Sequence, residues 1–243
     1  MRVFSFLNVM GGFDAKIAAT HREYDYYLPT FMLSEEAKVK YLVPENDQPD
    51  QHMDPNNPRT IKRVKIKIDE EGIEDIYQYR ISDDKKEVLE RLLQKFEGTH
   101  KYHNYTKSMK AKGNIIKSLH KTIDSNSQRY MMEIKVLEYR VYDGIEFARV
   151  YLKGQSFLYN QIRKMIGAVF MVMHFKLPEK FIDNTFKDNE TNIPTAPGEG
   201  LMLNKVSYGR YNREKRDLKE QIKPWDSKQD EIEEYRVELV KFI

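Results

Sequence analysis

No cysteine occurs in the 243 residues, which removes disulfides and thiolate-bound zinc from the possible chemistries. A reducing compartment is therefore allowed, though not required. Long apolar runs are also missing: nothing approaches the ~18 residues a membrane span needs. The N-terminal MRVFSFLNVMGG is too short and too interrupted to be read as a signal peptide. A soluble, intracellular protein is the expectation. Charge of one sign is scarce, because 41 basic residues face 38 acidic ones, for a net charge of +3. So small an excess does not by itself mark a nucleic-acid binder. There is no internal repeat and no sustained heptad.

What is present is enough for a core: 40% of the residues are hydrophobic, against 33% charged. Cations cluster locally in Arg59 to Lys67 (RTIKRVKIK) and Ser108 to Lys121 (SMKAKGNIIKSLHK), with no acid in either run. Such runs can neutralise phosphates and release counterions. A solvated charged face explains them equally well. Pro44 to Pro58 holds four prolines among Asp, Asn and Gln, and has almost nothing to bury. It reads as a loop or insertion, about residues 44–60.

Periodicity gives a coarse map. Strands are expected over Arg2 to Val9 and Glu23 to Leu33. Ser82 caps a helix running to about Glu97, with Val88, Leu89, Leu92, Leu93 and Phe96 on one face and Gly98 as its stop. Tyr130 to Lys153 reads as a hairpin turning at Asp143-Gly144. A helix follows from about Phe157 to Phe175, where Leu158, Ile162, Met165, Ile166, Val169, Phe170 and Met173 make one apolar stripe until Leu177-Pro178 breaks it. Shorter elements are a helix over Glu179 to Phe186 and a strand over Leu201 to Tyr208. The charged segment 211–243 is read as a helical extension, with Ile232, Tyr235, Leu239 and Phe242 on one side. The fold class is α+β: a mixed, largely antiparallel sheet with packed helices.

Four segments carry candidate chemistry. In Phe13 to Leu28, Tyr24 and Tyr26 share one strand face and Asp25 and Tyr27 the other; paired tyrosines can stack on a base, or simply fill a core. In Gly98 to Thr106, His100 and His103 have H-x-x-H spacing, but no third ligand completes a zinc site. A polar helix-to-loop cap with aromatic packing is the plainer reading. In Lys153 to Gly167, Arg163 and Gly167 lie one turn apart beside the apolar stripe. A partly buried arginine requires an anionic partner, either phosphate or carboxylate. Gly167 gives up helix propensity, which points to close approach by another backbone. In Ala196 to Leu203, two glycines crowd a turn before a strand, without the helix-opening context of a phosphate cradle.

Taken in order, these segments resemble the TruA-type tRNA pseudouridine synthases. Phe13 to Leu28 is similar to F-x-A-R…A-R-x-Y-x-Y, with Lys16 in place of an arginine. GTHKYHNYT is similar to G-T-H-[DN]-[FY]-x-x-[FY], its second histidine favouring the eukaryotic, nuclear branch. KGQSFLYNQIRKMIG is similar to K-[AG]-x-x-F-x-x-x-[MQ]-[IV]-R-x-[ML]-[IV]-G, with Tyr159-Asn160 where a histidine often precedes Gln161. APGEGLML is similar to A-P-x-x-G-L-x-L. The similarity covers about residues 2–208.

The resemblance implies an isomerase that converts uridine to pseudouridine in tRNA, and in small nuclear RNA, without cofactor or metal. Residues 1–210 would be the C-terminal portion of the catalytic domain. It implies that Tyr24 contacts a flipped uracil, that Arg163 pairs with a nucleophilic aspartate and that Leu201 packs near the base. Lys16, Arg22 and Lys164 would meet phosphates, with His100, His103, Phe157 and Gln161 also on the RNA side. The partner is then tRNA or another structured RNA. Nucleus is the expected compartment, with cytoplasm or mitochondrion as the others. The family's aspartate motif, R-x-D-x-G-[VC], does not occur in these residues; Arg80-Ile81-Ser82-Asp83 has the wrong spacing and no following glycine. The expectation is that this motif would precede Met1, that the chain is shortened, and that alone it catalyses nothing. A non-catalytic RNA-binding module, or an inactive relative of these synthases, is the alternative.

Overall fold

The computed structural model describes residues 7–34, 39–42, 65–68, 70–106, 127–188, 190–215, 222 and 228–241. Five strands form the main sheet: β1 (His21–Pro29), β4 (Gly98–Lys101), β5 (Gln128–Tyr142), β6 (Ile145–Gly154) and β7 (Leu201–Ser207). Their order is β4-β5-β6-β1-β7, and every described pairing is antiparallel. A separate two-stranded sheet joins β2 (Val39–Leu42) to β3 (Lys65–Ile68). The helices are α1 (Glu70–Gln78), α2 (Asp83–Gln94), α3 (Gln161–His174), α4 (Lys180–Thr185), α5 (Gly209–Lys215) and α6 (Gln229–Val240). The class is α+β, as expected.

The β5–β6 hairpin turns where its sequence says. Asp143 and Gly144 have φ of 46° and 88°, and Tyr142 pairs with Ile145. Two successive positive φ values match the twist of the flanking strands. Along β6, Ala148, Val150 and Leu152 are fully buried and meet the stripe of α3, where Ile162, Met165, Ile166 and Val169 join the same core. Leu89, Leu92 and Leu93 of α2 complete it. Opposite, a smaller cluster of Tyr27, Tyr142, Phe147 and Val240 seats α6 on the other sheet face.

Several boundaries differ from the sequence reading. The strand expected to Leu33 ends at Pro29, and Thr30–Leu33 is a 3₁₀ turn; proline has no N–H to carry the ladder on. There Thr30 donates through Oγ1 to the buried Glu146 carboxylate at 2.8 Å. The long helix starts at Gln161 rather than Phe157, because Asn160 is left-handed, with φ 65°. The apolar period runs through that turn regardless, since Leu158 packs on the core.

Gly98 to Thr106 is not a helix-to-loop cap. Gly98 opens an edge strand paired with residues 128–131, and His103–Tyr105 is a 3₁₀ turn. Its partner strand is remote in sequence, so no local pattern announced it. The aromatic packing does hold: Tyr102 and Tyr105 are fully buried, edge-on to each other at 5.5 Å. Residues 7–9, the described end of the strand expected from Arg2, are not in a strand. The segment 44–60 and the Ser108–Lys121 cluster lie outside the described residues; Lys65 and Lys67 of the other cluster lie in β3. Among the described residues, no helix is long and apolar enough to cross a membrane.

Burial raises the phenol pKa of Tyr26, Tyr102 and Tyr105 above the ordinary 10.0, and that of Tyr27 to about 12. A group whose folded pKa is raised contributes stability that is complete below its unfolded pKa. That contribution is lost as pH rises through the unfolded value toward the folded one. The denaturation midpoint is therefore expected to fall steeply above pH 10. A midpoint flat through that range would contradict these burials.

Candidate active site

β1 divides its side chains as the alternation requires. Tyr24 and Tyr26 pack toward α3, and Asp25 and Tyr27 toward α6. A register shift against β7 falls between Glu23 and Tyr24; such bulges re-aim the next side chain. The half-buried Tyr24 ring sits edge-on to Phe157, centroids 5.0 Å apart. Burial raises its pKa, against an opposing pull from Arg22. Tyr26, only 2% exposed, donates its hydroxyl to the Pro197 carbonyl at 2.9 Å.

Arg163 is part-buried under the 194–200 segment. Its Nε donates to the Ala196 carbonyl at 2.6 Å, and the Ala196 N–H donates to the Arg163 carbonyl at 3.1 Å. Nη1 reaches only 3.5 Å to Asn160 Oδ1. A Cβ on Gly198 would lie 3.5 Å from the guanidinium carbon, so the planar group packs against that glycine. Among the described residues no carboxylate forms an ion pair with Arg163, and Nη2 has no hydrogen-bond partner. Gly167 explains itself in the same place, since a Cβ there would stand 2.0 Å from the Pro194 carbonyl oxygen. The helix gives up propensity so that a second backbone can touch it, as read from the sequence.

β7 brings up the other wall. Leu201 is opposite Tyr26 and Leu203 opposite Tyr24, and Leu203 is 55% exposed. Tyr24, Phe157, Leu201 and Leu203 thus leave an apolar floor on the sheet, and the Arg163 charge acts on Tyr26 at the end of that strand face.

The remaining expected residues fall into two groups. Lys16 and Arg22 lie at the start of β1, where Arg22 Nη2 donates to the Lys16 carbonyl at 2.9 Å. Asp14 accepts the Lys16 and Ile17 amides, which hold its carboxyl below the usual range and shape an exposed turn. A cleft of about 700 Å³ opens between this turn, α5 and Gln155. The second group is held within the protein. Gln161 is 1% exposed, its Oε1 accepting the Leu158 N–H at 2.8 Å. His100 stacks on Phe186 at 4.2 Å, with Nε2 2.7 Å from the Glu97 carbonyl. His103 has Nε2 3.0 Å from the Asn104 amide.

Lys164, expected at a phosphate, has its ammonium 3.1 Å from the Asn104 carbonyl and 2.9 Å from that of Thr106. It clips the G-T-H segment to α3, and burial lowers its pKa. Lys164→Met is expected to cost about 1–3 kcal/mol and to speed amide exchange over 104–106; unchanged exchange there would refute the clip. Sequence reading named Tyr26 and the Ala196 to Leu203 turn, but not Pro194, and not the meeting of that turn with Arg163 and Tyr26. The only signal was the pairing of a glycine on the helix with a glycine-rich turn far downstream.

The sheet, the long helix and the clasping turn together define a fold of the pseudouridine synthase type. The family model described as tRNA pseudouridine synthase matches residues 92–209. The chain is 29% identical over 213 residues to the mouse protein named pseudouridylate synthase 1 homolog, covering 88% of this chain and 40% of that one. It is similarly 29% identical over 213 residues to the human protein of the same name. A tRNA pseudouridine synthase 2 from Schizosaccharomyces pombe is 36% identical over 148 residues, 59% of this chain and 30% of its own length. Residues 92–209 thus match the tRNA pseudouridine synthase family, and these relatives support the resemblance to its TruA type and eukaryotic branch. The chain spans about 40% of the length of the mouse relative.

Proposed function

We propose that the protein containing these residues isomerises uridine to pseudouridine in tRNA, and in small nuclear RNA, with Tyr24 and Arg163 in its active site. The observation that carries this reading is a guanidinium clamped under a backbone turn, lacking a carboxylate partner among the described residues, where the same turn meets Tyr26, two residues along the strand face from Tyr24. An aspartate outside the described residues would complete the pair. The target uridine leaves its stack to reach such a floor. The aspartate bonds to C1′ as the bond from C1′ to N1 breaks, the uracil turns, and C5 bonds to C1′ as the aspartate leaves. C5 loses one proton and N1 gains one, so the isomerisation balances with no redox equivalent.

Each side chain then has a task. Arg163 holds the aspartate ionised and aimed. Tyr24, kept as the phenol by burial, meets the base as a donor and relays the C5 proton, passing its own phenolic proton to solvent as it takes that of C5. Leu201 packs beside the uracil. Lys16 and Arg22 meet phosphates along one rim, and Phe157 supports Tyr24. Residues 1–210 form the C-terminal portion of the catalytic domain, and the nucleus is the compartment that fits the eukaryotic resemblance.

The test is to express the complete reading frame and assay pseudouridine in tRNA transcripts. Pseudouridine formed without added cofactor supports the proposal. tRNA bound with none formed would replace it with a non-catalytic RNA-binding module.

A further inference from the structure

On the sheet face opposite the site, the fold buries a charge cluster with no part in the chemistry above. Asp25 is 0% exposed, one residue after Tyr24. Its Oδ2 accepts Arg149 Nη2 of β6 at 2.9 Å, and its Oδ1 accepts Asn204 Nδ2 of β7 at 3.3 Å. Arg236 of α6 donates to Asn204 Oδ1, lies 3.7 Å from Asp25, and is itself held by Glu233 at 2.9 Å. Glu138 of β5 takes the other arm of Arg149 at 3.2 Å. One buried carboxylate therefore ties β1 to both of its neighbours and to the helix on the far face.

Its place in the sequence gives this tie a function. β1 slips register against β7 between Glu23 and Tyr24. A bulge leaves the next residue's aim weakly specified by the ladder alone. The first residue after Tyr24 is the one pinned on both sides. Its neighbour Tyr27 adds an N–H to the Gly200 carbonyl at 2.8 Å, so the pinned stretch also holds the turn over Arg163. A buried ion cluster often contributes little stability compared with an apolar one, but it fixes a unique arrangement.

We infer that Asp25 is a positioning residue, which, with Asn204 and Arg236, sets the aim of Tyr24 in the site from the opposite face of the sheet. The inference rests on the reading of Tyr24 as a site residue. It makes α6, packed on the opposite sheet face, a working part of the site.

The experiment has two arms. In the product of the complete reading frame, Asp25→Asn should lower kcat about a hundredfold, the scale for a small misplacement of a reacting group, with KM for tRNA unchanged. In the 243-residue chain, Asp25→Asn should shift the Tyr24 ring signals, assigned with Tyr24→Phe, that report its contact with Phe157. Methyl signals of Leu89 and Leu92 should stay in place. Should Asp25→Asn fail to fold, Asn204→Ala removes the β7 leg and the Arg236 bond to it, keeps the Asp25–Arg149 pair, and should move both readouts the same way. Tyr24 signals unmoved, or a lowered melting temperature with kcat intact, would overturn the inference. A Tyr24 shift in a protein that forms no pseudouridine would instead sink the proposed function and leave the positioning role standing.

Discussion

Arg163→Ala in the product of the complete reading frame is expected to lower pseudouridine formation about a hundredfold to a thousandfold, the range seen when one preorganised donor is removed from an active site. The loss should fall on kcat. Two properties make Arg163 sensitive. It is held through Nε by the Ala196 carbonyl, so its fork is aimed before any substrate arrives. Its other donors have one long contact, to Asn160 at 3.5 Å, and Nη2 has none among the described residues. Arg163→Lys keeps the charge but loses the planar fork, and should recover only a small part of the rate. Stability should fall by about 1 kcal/mol for the lost bond to Ala196, too little to explain the rate. Single-turnover assays on a tRNA transcript, beside a melting curve, separate the two effects. Full turnover in Arg163→Ala would remove Arg163 from the site.

Among the described glycines, Gly167→Ala should add the most damaging methyl. Alanine is the better helix former by about 1 kcal/mol, so on an open helix face this change would stabilise. Here the added Cβ would stand 2.0 Å from the Pro194 oxygen and 3.0 Å from its carbonyl carbon, both backbone atoms that no rotamer change can move. The 194–200 segment must lift off α3, which costs about 1–3 kcal/mol net and takes the Ala196 contacts to Arg163 with it. Activity and stability should therefore fall together. Amide exchange of Ala196 and Leu201, whose N–H groups bond Arg163 and Gly198, should quicken. A protein as stable as wild type with slow exchange there would refute the contact.

These two residues show how far local pattern reaches. The Gly167 reading came from chemistry alone: a glycine inside an apolar helix has to be explained by close packing, and the partner backbone proved to be Pro194. The partner could not be named from the sequence, because nothing in N-I-P-T-A-P says which helix it lies on. Arg163 was likewise legible as a charge in need of a partner, while its bond to Ala196 was not. The G-T-H segment shows the reverse failure. Its polar composition suggested a cap, yet β5 supplied the missing backbone partners and made it an edge strand.

What the sequence alone determined was the α+β class, the β5–β6 hairpin, the apolar stripe of α3, the two faces of β1 and the family of residues 92–209. Each of these is written in periods of two or three to four residues, or in short ordered motifs. The tertiary structure alone decided that Gly198 packs on Arg163, that Lys164 holds carbonyls, and that Asp25 is pinned by Arg149, Asn204 and α6. Those contacts join residues far apart along the chain. Their energies depend on burial and on distances within a few ångströms, which the packing of whole elements fixes and no local pattern contains.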